Sequence, residues 1–142
     1  MKIRAATPSL MFTRAIGPNS IVGYGSELKN CVLFGKNDVG RLSFVGDSVI
    51  GENVKSGSGF TTVNHTVDNS QISYESESGS IDTGLIKLGS FVGDNVSIGP
   101  FVEIQKDVVI GNRTKIQSHS FLCEMVNVGN DCVISHGVKF TN

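Results

Sequence analysis

VVIGNRTKIQSHSFLCEMVNVGNDCVISHGVKF, residues 108–140, places an apolar side chain at every sixth position: Ile110, Ile116, Leu122, Val128, Ile134 and Phe140. Six is neither the period of two of a strand nor the 3.6 of a helix. The series runs back through Ile104, Ile98 and Val92, nine positions without a gap. A second column follows four residues behind: Val96, Val102, Val108, Thr114, Ser120, Val126, Cys132 and Val138, all small or β-branched. Glycine often follows the first column, as Gly93, Gly99, Gly111 and Gly129. A repeat of this kind reads as a coil of short strands joined by tight bends, with both columns pointing inward. Three hexads close one triangular coil of 18 residues. Successive coils then share a parallel ladder spaced about 4.8 Å apart. The expected fold is all-β, with Ile98, Ile116 and Ile134 stacked one above another.

Upstream the period is less regular. Ile16, Val22, Leu28 and Phe34 are six apart and are read as inward, while VGDSV, residues 45–49, is one residue short of a hexad and marks a bend or bulge. Residues 1–15 lack the period and are expected to form an N-terminal cap or arm. Residues 16–142 are read as one repeat domain with an inserted loop at 61–87, rich in Ser, Asp, Glu and Asn, that a solenoid tolerates at a corner. Within it SYESESGS, residues 73–80, is expected to be mobile, its flanks pairing as a hairpin.

Composition narrows the function. A net charge of −1 gives no electrostatic footprint for nucleic acid. No apolar run approaches a membrane span, and the N-terminus has no signal-peptide core, so no membrane partner is expected. Three cysteines do not make a disulfide framework and point to a reducing cytoplasm.

From Ile16 onward these features resemble the left-handed β-helix hexapeptide-repeat acyltransferases. The resemblance implies a left-handed parallel β-helix, a homotrimer, acetyl-CoA as co-substrate, and a sugar or nucleotide-sugar as small-molecule partner. Residues 16–99, through SELKNCVLFGKNDVGRLSFVGDSVIGENVKSGSGFTTVN and DTGLIKLGSFVGDN, resemble the C-terminal acetyltransferase domain of sugar-1-phosphate nucleotidylyltransferases. Residues 88–142, through IQSHSFLCEMVNVGNDCVISHGVKFTN, resemble nucleotide-sugar N-acetyltransferases. In the first group a histidine follows the position of Gly40 and acts as the base. Here Arg41 stands there, and arginine stays protonated in proteins. Phe44 replaces a sugar-site tyrosine and Lys55 an asparagine. Lys29 matches a phosphate-binding lysine, and Asn64 an asparagine near the acetyl donor. That first site is therefore expected to be lost or repurposed. Nucleotidyl transfer is not expected, because the chain has no Gly-rich phosphate loop and no α/β domain.

His119 and His136 both fall outside the inward columns, 17 apart, and should project from the same side about one coil apart. Acyl transfer to an amine or hydroxyl needs a base, and imidazole is the side chain suited to neutral pH. It also needs an N–H donor for the developing oxyanion. His119 in IQSHSFLCE matches the polar active-site position of the sugar N-acetyltransferases, which some members fill with asparagine. His119 is the expected base, His136 a second candidate, and Glu124 a side chain that orients a histidine. His65 follows TTVN and is a weaker candidate. Gamma-class carbonic anhydrases use a similar coil with three histidines, but the spacing here does not match theirs, and no metal site is expected. The alternative reading is a truncated or non-catalytic trimeric scaffold, because the chain stops mid-hexad at FTN, where the resembling enzymes continue.

Overall fold

The structure, a computed structural model, describes residues 3–5 and 14–141. The strands form three parallel sheets of seven, six and six members, the faces of a triangular coil, and a separate antiparallel hairpin. Face A contains Ile3–Ala5, Ser20–Val22, Asp38–Val39, Lys55–Ser56, Ser97–Ile98, Lys115–Ile116 and Val133–Ile134. Face B contains Glu27–Lys29, Phe44–Gly46, Thr61–Thr62, Glu103–Ile104, Phe121–Leu122 and Lys139–Phe140. Face C contains Arg14–Ile16, Cys31–Gly35, Val49–Glu52, Phe91–Val92, Val109–Ile110 and Asn127–Val128. Among the described residues there is no helix. The fold is a left-handed parallel β-helix. Most of the N-terminal stretch expected to cap the coil, residues 1–2 and 6–13, lies outside the described residues.

The six-residue period works as a core rule. Val92, Ile98, Ile104, Ile110, Ile116, Leu122, Val128 and Ile134 are buried, and Phe140 packs against them half-buried. Ile98 pairs with Ile116 and Ile116 with Ile134 across consecutive rungs. The second column also points in, and its hydroxyls are satisfied. Thr114 Oγ1 donates to Gly129 O at 2.9 Å and Ser120 Oγ to Ser135 O at 2.9 Å. Each bonds to the backbone of the next coil, which removes the penalty of burying a hydroxyl.

Phe34 corrects the upstream register. Leu33, not Phe34, pairs with Ile16 and Ile50 and is buried, whereas Phe34 is 60% exposed. The cause is a corner one residue short. In the first coils stacked partners such as Ser20 and Asn37, or Asn37 and Val54, are 17 apart. In the later coils Asp94 and Asn112 are 18 apart. The shortened steps run from Leu28 to Leu33 and from Val45 to Ile50, both at the corner between faces B and C.

The insertion leaves the stack intact. Thr61 and Thr62, placed in the inserted stretch by the sequence, form a face B rung between Phe44 and Glu103. Across the insertion stacked partners are 42 residues apart yet bond normally, as Asn53 Nδ2 to Asn95 Oδ1 at 2.9 Å. The extruded chain folds as a hairpin of Ile72–Ser76 and Gly79–Leu85. It leans on face C, leaving a cleft of about 470 Å³ bounded by Tyr74, Thr83, Leu88, Phe91 and Val109. A second cleft on the same face, about 550 Å³, is bounded by Phe34, Val49, Gly51, Glu52, Val92 and Asp94.

The corner between faces C and A is held by a side-chain ladder. Asp94 Oδ1 accepts from Glu52 N at 2.8 Å, Asn112 Oδ1 from Asp94 N at 2.8 Å, and Asn130 Oδ1 from Asn112 N at 2.7 Å. The glycines after the first column make room for it. A Cβ on Gly93 would lie 2.4 Å from Asn112 Oδ1, and one on Gly111 2.5 Å from Asn130 Oδ1.

Candidate active site at the corner between faces A and B

Two columns of residues run up this corner. Backbone bonds from Leu42 N to Tyr24 O, Gly59 N to Arg41 O, Phe101 N to Ser58 O, His119 N to Pro100 O and Gly137 N to Ser118 O fix their register. One column is Gly25, Leu42, Gly59, Phe101, His119 and Gly137, all with left-handed φ between 55° and 74°. The other is Tyr24, Arg41, Ser58, Pro100, Ser118 and His136. Arg41 and His136 therefore occupy the same corner position on different coils.

Both histidines are exposed on the last two coils. The His119 ring lies 5.3 Å from the Phe101 ring, tilted by 31°. The His136 ring is tied to the coil beneath it, with Nδ1 3.1 Å from Ser118 Oγ. Each imidazole thus has a support one coil below. Sequence reasoning missed Ser118, although it was legible: Ser118 and His136 are separated by 18, one full coil.

The other expected site residues lie at the corner between faces B and C. Lys29 ends a face B strand and is half-buried. Asn64 is buried, with Nδ2 donating to Asp47 Oδ2 at 2.6 Å and Oδ1 3.2 Å from His65 Nδ1. Glu124 is ion-paired to Lys106, whose side chain is nearly buried. Beside it Asp107 is buried, its Oδ1 has no hydrogen-bond partner, and burial pushes its carboxyl above the usual range against the opposing pull of Lys106. Within one chain, then, the structure places His119 and His136 on adjacent coils of one corner, and Lys29, Asn64 and Glu124 on separate coils of another. Among the described residues no group of three His, Cys, Asp or Glu side chains is placed to hold a metal ion. No helix among them is long and apolar enough to cross a membrane.

Chemically, the histidine corner offers exposed imidazoles on a rigid stack, with Lys115 on the adjoining rung of face A and Lys139 on that of face B, both exposed. These groups suit proton transfer on an anionic ligand held against the outside of the coil.

The fold and this corner define a hexapeptide-repeat β-helix with a polar, imidazole-bearing edge. Residues 89–124 match the family model described as "Bacterial transferase hexapeptide (six repeats)", and the chain is a hexapeptide-repeat β-helix protein of that kind. It is 33% identical over 104 residues to "Bifunctional protein GlmU" of Methanococcus maripaludis strain C5, covering 73% of this chain and 25% of that protein. It is 35% identical over 95 residues to "Bifunctional sugar-1-phosphate nucleotidylyltransferase/acetyltransferase" of Sulfurisphaera tokodaii, covering 67% of this chain and 24% of that one. The chain thus spans about a quarter of the length of these relatives. A crystal structure of a variant of AntD, an N-acyltransferase from Bacillus cereus in complex with dTDP and coenzyme A, superposes with a TM-score of 0.69 at 15% identity, covering 96% of this chain and 77% of that one. That likeness is one of fold.

Proposed function

We propose that the protein transfers an acyl group, acetyl from acetyl-CoA, to the amine of a sugar or nucleotide-linked sugar, with His119 as the base. The observation that carries the reading is the pair of supported imidazoles on one exposed corner of an acyltransferase-family coil. In the reaction the amine nitrogen attacks the thioester carbonyl carbon, His119 takes the amine proton, the N–C bond forms and the C–S bond breaks. The departing thiolate then receives the proton and leaves as the thiol. AntD, solved with dTDP and coenzyme A, supports a nucleotide-bearing acceptor and a coenzyme A donor. Lys29 and Asn64, at the other corner, contact phosphate and donor groups in this reading. Glu124 orients a histidine only from a neighbouring copy, because its own chain holds it against Lys106 at a different corner. The working form is a cytoplasmic homotrimer in which a neighbouring copy encloses the histidine corner. The test is thiol release from acetyl-CoA with dTDP-linked amino sugars as acceptors. Acceptor-dependent release abolished by His119→Ala supports the reading, and equal turnover of the two proteins defeats the assignment of His119.

A second reading, a trimeric scaffold without chemistry, draws on one observation. Both clefts described above lie on face C, opposite the histidine corner.

A further inference from the structure

The reaction proposed above requires two opposite functions side by side: an acceptor for the amine proton and a donor for the oxygen that becomes negative as the thioester carbonyl is attacked. A neutral imidazole has one donor and one acceptor nitrogen, so two on adjacent coils supply both when one turns its acceptor nitrogen and the other its donor towards the ligand. The structure gives them different neighbours. The nearest support of His119 is the ring of Phe101, which imposes no tautomer. His136 instead meets a hydroxyl, with Nδ1 3.1 Å from Ser118 Oγ.

A serine hydroxyl always has a proton to donate, whereas a neutral imidazole nitrogen either donates or accepts. No other acceptor lies against the Ser118 hydroxyl among the described hydrogen bonds, while Ser118 O is occupied by Gly137 N at 3.0 Å. The hydroxyl is therefore free to donate to Nδ1, an arrangement in which the His136 proton lies on Nε2. The contact is built into the fold: Ser118 and His136 occupy one corner column, and the backbone bond from Gly137 to Ser118 locks the two coils in register.

We propose that Ser118 is a positioning residue that fixes His136 as the Nε2–H tautomer, and that Nε2–H, turned outward beside His119, donates to the thioester carbonyl oxygen. His119 and His136 then divide the chemistry. The amine proton passes to His119. His136 keeps its own proton and shares it with the oxyanion as charge builds there, returning it fully when the carbonyl re-forms and the C–S bond breaks. The assignment rests on the acyl-transfer reading for its role, but the tautomer itself does not.

A long-range proton–nitrogen correlation spectrum of isotope-labelled protein, recorded at alkaline pH where imidazoles are neutral, reads the tautomer of each histidine without substrate. The expected result is a His136 signal of the Nε2–H form in the wild type, a shifted or mixed signal in Ser118→Ala, and return of the wild-type signal in Ser118→Thr, which keeps the hydroxyl. A wild-type His136 protonated on Nδ1, or an identical signal in wild type and Ser118→Ala, overturns the proposal. In turnover of acetyl-CoA with a dTDP-linked amino sugar, Ser118→Ala should lower kcat roughly 10-fold, as for loss of one positioned hydrogen bond, with KM for acetyl-CoA little changed and kcat restored in Ser118→Thr. Equal loss of kcat in both variants overturns the positioning role. Absence of acetyl-CoA binding by the wild type defeats the acyl-transfer reading and the donor role with it, and the spectrum alone then decides whether Ser118 sets the tautomer.

Discussion

His119 has a left-handed backbone, φ 60°, which in isolation reads as strain at a functional residue. Its neighbours remove that inference. Leu42, Phe101, Arg113, Met125 and Asp131 share the conformation, because each corner of the coil needs a left-handed residue to turn. What distinguishes His119 is its exposure beside Phe101 and one coil below the level of His136. His119→Ala should reduce turnover roughly 10²–10⁴-fold, the usual contribution of a general base, while the thermal midpoint stays close to that of the wild type. Turnover retained in His119→Asn would mean that this position orients the acceptor and does not take its proton, because a carboxamide is not a base. Asp107 supports a prediction about stability. Burial raises its carboxyl pKa in the folded state, so the folded protein holds that proton more tightly than the unfolded chain. Stability then falls as pH rises through the window from the ordinary carboxyl value up to the raised one, and the cost is fully present above it. Asp107→Asn keeps a residue tolerant of the left-handed φ of 62° and removes the charge. It should melt higher than the wild type at neutral pH, with the difference closing as pH is lowered towards about 4. A constant difference across that range, read by thermal denaturation, contradicts this account of Asp107.

The elements are very short rungs whose stability comes from stacking. Two-residue strands such as Lys115–Ile116 have little propensity of their own and persist because both neighbours bond to them. Ile116→Ala should therefore cost about 2–5 kcal/mol, the range for deleting a buried aliphatic side chain, measured by denaturant unfolding. At the corner between faces C and A, Gly111→Ala forces a Cβ to within 2.5 Å of both Asn130 Oδ1 and the Gly129 carbonyl carbon. It should destabilise by about 1–3 kcal/mol, the range for overpacking, and a neutral effect would mean the ladder gives way easily. The hairpin is the opposite kind of element. It buries Ile72 and leaves Ile81 and Leu85 about half exposed, so little apolar surface offsets its ordering. Its amides should exchange faster than those of the rungs. The inward columns from Val92 to Ile134 were legible in the sequence because one rule, an apolar residue every six, has a single geometric solution. Leu33 and Phe34 show where that rule stops. Both are apolar, and choosing between them requires knowing that the corner is one residue short, which hydropathy does not encode. Likewise, assigning Glu124 to one corner and His119 to another depends on where each bend falls. Their separation of five residues in sequence does not reveal that a whole face lies between them.

At the scale of the molecule, the three faces differ. The outward positions of face A run Ile21, Asp38, Lys55, Ser97, Lys115 and Val133, and those of face B Glu27, Phe44, Thr61, Glu103, Phe121 and Lys139, each mixing charged and polar side chains with apolar ones. Face C instead aligns Ala15, Val32, Val49, Phe91 and Val109, with Phe34 exposed beside them. An apolar row of that length on one face suits contact between copies. Light scattering at micromolar concentration should give the mass of a trimer, and Val49→Glu should shift it towards the monomer. A wild type that scatters as a monomer removes the neighbour on which the enclosed site and the orienting role of Glu124 depend. The central claim, that this coil is an acyltransferase and its histidine corner the place of reaction, is tested most directly by isothermal titration of the wild type with acetyl-CoA. The account predicts saturable binding, with His119→Ala still binding the donor although it no longer turns it over. No heat of binding at millimolar acetyl-CoA contradicts the claim and favours the scaffold.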